Sequence, residues 1–239
     1  MEDTKKHILS FYEELKFNDE HHQYSINGKR IKFSVSGLIK KFVKPFDSKR
    51  ISKIVARARK VPQKVIIKEW NTKRDRACRR GTEVHLFGEL YPFNKQLEPK
   101  NGYEEAVVKF WNDLPSYVIP VFVELQMYHK EYMFAGTADI ILYNTKTGNY
   151  IIGDYKTNED LFKNYKGKKM VDPFGFLLDN SFNKYQLQLS FYQILFEQLD
   201  LKVSSRKIIW LLSNGEYKLY DTEDYTKVLE NYLKNESVC

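Results

Sequence analysis

Three stretches in the second half of the chain are strongly apolar over nine to twelve residues and bounded by polar connections: VIPVFVELQMYH (118–129), MFAGTADIILYN (133–144) and NYIIGDYKT (149–157). Runs of this length and composition predict strands, the second and third joined through Asn144 to Asn149. A long connection, residues 159–183, leads to KYQLQLSFYQILFEQL, where Leu187, Phe191, Ile194 and Leu195 recur at helical spacing. KIIWLLSNGEYKLYD predicts a hairpin turning at Asn214-Gly215, and EDYTKVLENYLKN a closing helix.

The first half reads differently. HHQYSINGKRIKFSV carries a turn signal at Asn27-Gly28 between two strand-like runs. Helices are expected within residues 36–42, 48–58 and 62–90, the last interrupted near Gly81. No repeat or low-complexity linker divides the chain. The pattern predicts one α/β domain over residues 1–239, a mixed central β-sheet flanked by helices. Residues 1–75 form a basic, mainly helical N-terminal extension with its hairpin, and residues 76–239 the core.

Composition supports a single substantial core, with 239 residues, 42% hydrophobic and 15% aromatic. MEDTKKHILSFYEELKF is charged throughout and lacks the apolar run of a signal peptide, and its acidic residues argue against a transit peptide. No run approaches the roughly 18 apolar residues of a membrane span. The two cysteines, Cys78 and Cys239, are too few for a disulfide framework, a cysteine-rich zinc site or a four-cysteine iron–sulfur cluster. The expectation is a protein that is not secreted and works in the cytoplasm of a bacterium or a virus-infected host.

Charge alters the picture further. Residues 1–100 hold 24 Lys or Arg against 12 Asp or Glu, whereas residues 101–239 hold 15 against 19; residues 29–80 alone hold 19 against 3. A single basic run is often a solvated helix face, but a segment this one-sided repels itself unless an anion lies against it. Nucleic acid is the leading partner and an acidic membrane surface the second.

Candidate chemistry begins at YIIGDYKTN, where Asp154 and Lys156 face the same side of a strand. The triplet acidic-x-Lys occurs seven times in the chain, so context decides. Asp139, in the preceding strand, supplies it. Two buried carboxylates are costly without a positive charge between them, and a divalent cation such as Mg²⁺ is the economical partner. Lys156 is then near enough to orient the attacking water and stabilise charge developing on phosphorus, or it is simply the salt-bridge partner of Asp154. Glu216-Tyr217-Lys218 repeats the triplet, but its hairpin partner offers no carboxylate. His85, inside a predicted helix with Glu89 one turn on, is more often a structural residue than a ligand. Tyr185, Gln188 and Tyr192 share a helix face opposite the apolar one, either plain surface or a face that holds phosphate or base.

In order, Gly81-x-x-x-His85, Gly136-x-x-Asp139, Asp154-x-Lys156 and Tyr185-x-x-Gln188-x-x-x-Tyr192 resemble the motif series of RecB-like nucleases in the PD-(D/E)XK superfamily, over roughly residues 75–195. The resemblance implies a restriction-endonuclease-like core and a Mg²⁺- or Mn²⁺-dependent deoxyribonuclease. It assigns His85, Asp139 and Asp154 as metal ligands with the Tyr155 carbonyl, Lys156 as the catalytic lysine, and Gln188 and Tyr192 as a supporting QxxxY element, with Glu124 resembling a further acidic position. The implied activity is a single-strand-preferring exonuclease in DNA recombination, repair or replication, acting on free ends and working beside a helicase or recombination protein. The alternatives are a flap or branch endonuclease and a non-catalytic nucleic-acid-binding module. Some relatives carry an iron–sulfur cluster, which this chain cannot build. Arg57, Arg59 and Lys60 in the basic segment, Lys163, Lys166, Lys168 and Lys169 in the long connection, and Tyr185 are the expected DNA contacts.

Overall fold

The computed structural model describes residues 1–18, 20–21 and 23–237, without the side chains of residues 236 and 237; His22, in the expected hairpin, and Cys239 lie outside them. Helix α1 (Glu2–Phe11) is an element the charge-rich opening does not announce, since Ile8 is its one buried residue. Strands β1 (Leu15–Asn18), β2 (Gln23–Ile26) and β3 (Lys29–Arg30) form a small antiparallel sheet. Asn27 and Gly28 take φ of 49° and 76°, the left-handed pair that a tight hairpin turn needs. The expected second arm divides: β3 pairs back on β2, while β4 (Phe33–Ser34) crosses over and pairs parallel with β6 (Phe134–Asn144).

Four helices follow: α2 (Val35–Lys41), α3 (Ser48–Arg59), α4 (Gln63–Leu90) and α5 (Gly102–Asp113). α4 runs through Gly81 unbroken, correcting the expected interruption. A glycine costs a helix only about 1 kcal/mol, and buried Ile66, Val84 and Phe87 anchor α4 on both sides of it. The division at residue 75 therefore falls inside α4. Asn101 caps α5 by accepting from the Tyr103 and Glu104 amides, and buried Ala106, Val107, Phe110 and Trp111 give it an inward face.

β5 (Val118–Tyr128), β6 and β7 (Asn149–Lys156) form the expected antiparallel meander. Helix α6 (Ser181–Glu197) carries the chain to β8 (Val203–Leu211), parallel to β7; β9 (Tyr217–Asp221) then pairs antiparallel with β8, and α7 (Thr226–Ser237) follows. The result is a mixed sheet in the order β4-β6-β7-β8-β9, with β5 on the other edge of β6. One face packs under Ile8, Leu38, Phe191 and Leu229, the other under Val84, Phe87, Phe110 and Trp111, so helices cover both. Residues 157–180 are irregular yet pinned by buried Leu161, Met170 and Phe174. Among the described residues, no helix is long and apolar enough to cross a membrane.

The sheet forks at its centre. β7 pairs with β6 only as far as Gly153 opposite Ile140, and β4 pairs with the same edge of β6 at Phe134 and Ala135. Between them, residues 136–139 of β6 have no partner strand on that edge among the described residues.

Candidate metal centre at the sheet fork

Asp139 and Asp154 lie one step beyond the last paired residues of β6 and β7. Where the ladder would continue, the Tyr155 amide donates instead to Asp139 Oδ2 at 2.8 Å. Asp154 is wholly buried; its Oδ2 is ion-paired with Lys156, and its Oδ1 accepts from Gln188 Nε2 at 3.4 Å. Gln188 Nε2 donates more strongly to Tyr192 Oη, at 2.7 Å. Lys156 Nζ sits 4.4 Å from the centre of the Tyr185 ring, whose hydroxyl donates to Asn158 at 2.9 Å. Two glycines permit this packing. A Cβ on Gly136 would approach the Tyr192 ring and Val35 to 2.8 Å, and one on Gly88 the Tyr155 ring to 2.6 Å.

The polar face of α6 is thus turned toward the site, where Gln188 meets Asp154 and Tyr185 meets Lys156. α6 is buried nearly all round, because the sheet, α2 and α7 enclose it.

His85 projects from α4. Its Nδ1 lies 3.3 Å from Asp139 Oδ2 and 3.8 Å from Glu124 Oε1, and its Nε2 lies 3.1 Å from the Tyr155 carbonyl oxygen. Donor atoms of His85, Glu124 and Asp139 all fall within 4.8 Å of one another, so these three could hold a metal ion. The expected ligand group was His85, Asp139 and Asp154 with the Tyr155 carbonyl. The structure gathers Glu124 more tightly and sets Asp154 against Lys156. Glu124 reaches the group from the middle of β5 with a left-handed φ of 51°.

Burial would depress the His85 imidazole, but the Asp139 charge, with Glu124 and Asp154, lifts it to about 9. Burial, then the Asp139 charge, raises the Asp154 carboxyl to about 6 against the pull of Lys156. Burial also opposes charge on Lys156, yet Asp154 and Asp139 hold its pKa above the usual lysine value. Two cationic side chains thus balance the carboxylates; His85 would give up its proton to ligate a metal, and the carboxylate oxygens beside it fit a hard divalent cation.

Of the expected DNA contacts, Tyr185 lies at this cluster, against Lys156, whereas the basic ones are on exposed or separately paired segments. Arg57, Arg59 and Lys60 are exposed at the end of α3, and Arg59 is already engaged by Glu69 at 2.6 and 3.1 Å. Lys163, Lys166 and Lys169 are exposed in the connection after β7, whereas Lys168 bridges Asp179 at 2.8 Å and the Lys44 carbonyl at 3.0 Å. Sequence reasoning did not single out Arg80, which donates to the Thr157 carbonyl at 2.9 Å, or the cleft of about 790 Å³ that it lines with Lys68, Lys73, Arg76 and Glu159. The signal was its place immediately before Gly81.

No family model and no curated protein matches the chain. Thirteen solved chains match it, among them the one titled "Crystal structure of SSO0001", at 17% identity over 48% of this chain and 48% of that one. The chain thus spans about half of that structure, and the TM-score of 0.30 is too low to carry an argument.

Proposed function

We propose that the protein is a divalent-metal-dependent deoxyribonuclease of the RecB-like, PD-(D/E)XK kind, with a restriction-endonuclease-like core, that hydrolyses phosphodiester bonds as an exonuclease preferring single-stranded ends. The observation that carries this reading is the meeting of Asp139, Asp154, Lys156 and His85 at the fork between β6 and β7. His85, Asp139 and Glu124, with Asp154 and the Tyr155 carbonyl beside them, would hold Mg²⁺ or Mn²⁺. A bound ion supplies Lewis-acid charge to the phosphodiester and brings water into an ionisable range. Lys156, held charged beside Asp154, is the electrostatic partner for negative charge developing on phosphorus. Gln188, itself bonded to Tyr192, donates to the Asp154 carboxylate and helps to position it. Free-ended DNA is the proposed substrate, and a helicase or recombination protein the proposed partner.

The test is incubation of the purified chain with end-labelled single-stranded, duplex and circular DNA, with and without Mg²⁺ or Mn²⁺. The expected outcome is metal-dependent cutting that requires a free end, abolished in Asp139→Ala and Asp154→Ala and reduced on the order of 100-fold in Lys156→Ala. Cutting of circles would replace the exonuclease with an endonuclease. Binding without any cutting would leave a nucleic-acid-binding module.

A further inference from the structure

A second cavity, of about 400 Å³, opens at the fork beside Glu124 and Asp139. The N-terminal hairpin builds its wall: the half-buried rings of Phe17 on β1 and Tyr24 on β2 lie 4.6 Å apart at 37°. Tyr24 Oη is within 2.8 Å of Thr137 Oγ1, which fixes its ring two residues from Asp139. Val35 and Tyr192 close the cavity near Gly136, the position where a side chain would clash with both.

The lining chemistry identifies the occupant. Glu124 and Asp139 rim the cavity, and among the described residues no lysine or arginine lines it. With Glu124 and Asp139 given to the metal at the rim, the rest of the lining offers a phosphate no cation, whereas a neutral planar group meets aromatic faces and the hydroxyls of Ser34, Ser36 and Thr137. The volume suits one small ligand. Lysines and arginines line instead the cleft along α4, on the Thr157 side of the site.

We propose that this cavity is a nucleobase subsite, receiving the base of a nucleotide next to the scissile phosphate and stacking it on the Phe17–Tyr24 wall, while the strand's backbone runs toward the α4 cleft. The proposal rests on the nuclease reading and gives the N-terminal hairpin a task in it. Stacking on a π face tolerates any base, so the subsite selects a single strand over a paired one without reading sequence.

The experiment measures binding of a fluorescent single-stranded oligonucleotide to the full chain in Ca²⁺, with one abasic residue walked along the strand, beside cleavage in Mg²⁺. Wild type is expected to lose affinity roughly ten-fold when the abasic residue lies next to the cut position, the scale of one base on an aromatic face. Phe17→Ala should show that loss on intact DNA and no further sensitivity to the abasic residue. Phe17→Leu keeps apolar bulk for folding but has no π face, and should behave likewise; Tyr24→Phe, which keeps the ring, should stay near wild type. A flat abasic scan in a wild type that binds and cuts, or an unchanged scan in Phe17→Leu, overturns the subsite alone. A wild type that neither binds nor cuts DNA overturns the nuclease reading and the subsite with it.

Discussion

Glu124 carries the sharpest local conflict in the chain. It interrupts β5 between Val123, opposite Ile140, and Leu125, opposite Ala138, with a left-handed φ of 51°. A non-glycine residue pays about 1–2 kcal/mol for that backbone, and such outliers persist where the surroundings over-determine them, often at functional sites. Here the side chain lies within 3.8 Å of His85. The strain argument predicts that Glu124→Gly is more stable than Glu124→Ala by roughly 0.5–1 kcal/mol, the relief of φ less the entropy glycine loses on folding. Both variants should bind Mn²⁺ more weakly than wild type. Chemical denaturation of the two proteins decides the first point, and equal midpoints would remove it; calorimetric titration decides the second. At this scale Asp139, Asp154 and Lys156 were legible in sequence, because adjacent strands with inward carboxylates constrain one another. The tighter grouping of Glu124 with His85 was not, since it depends on a backbone angle that no hydrophobic pattern marks.

The β5–β6 connection shows how a single element can make stability depend on pH. His129 Nδ1 accepts from the Glu131 and Tyr132 amides at 3.2 and 3.1 Å, and its ring stacks on Tyr132 and Phe134. Burial lowers the imidazole to about 4 from its usual 6.5. The folded chain therefore refuses a proton that the unfolded chain accepts. The contribution is complete above about pH 6.5 and is lost as pH falls from there toward 4. His129→Asn, with an acceptor oxygen and no titration in this range, should flatten the wild-type decline in unfolding free energy across that window. Parallel pH profiles for the two proteins would mean that His129 titrates normally. The elements around it were legible because their apolar runs are long: the meander, the Asn214-Gly215 hairpin and α6 all lie where the pattern put them. β4 has two residues and no period to detect, and α1 buries only Ile8. α6 was read as amphipathic because its polar face looks like surface until a sheet fork lies beneath it.

Over the whole molecule, the basic excess of residues 29–80 does not act as one surface. Arg59 is neutralised by Glu69, Lys73 by Glu159 at 2.8 Å, and Lys168, from the later connection, by Asp179. Among the described residues Lys68 and Arg76 take part in no such ion pair, and both line the α4 cleft beside Arg80, which is tied to the carbonyl next to Lys156. Composition alone could not separate these groups, because a lysine held by a carboxylate and one facing a cleft are identical in sequence. The pairing matters for binding, since only a phosphate contact that displaces counterions steepens the salt dependence, by about 0.7 in log–log slope per contact on a single strand. Changing Lys68 and Arg76 together to Ala should therefore flatten the slope for single-stranded DNA by about 1.4, with the loss of affinity shared by all sequences. Arg59→Ala, which removes a charge already satisfied by Glu69, should leave the slope near the wild-type value. Lys163, Lys166 and Lys169, exposed beyond the end of β7, should act with the cleft, and their combined replacement should flatten the slope further. The measurement is affinity in Ca²⁺ across a salt series. If Arg59→Ala flattens the slope as much as the cleft pair does, the strand crosses the α3 end instead, and the path assigned to it here is wrong.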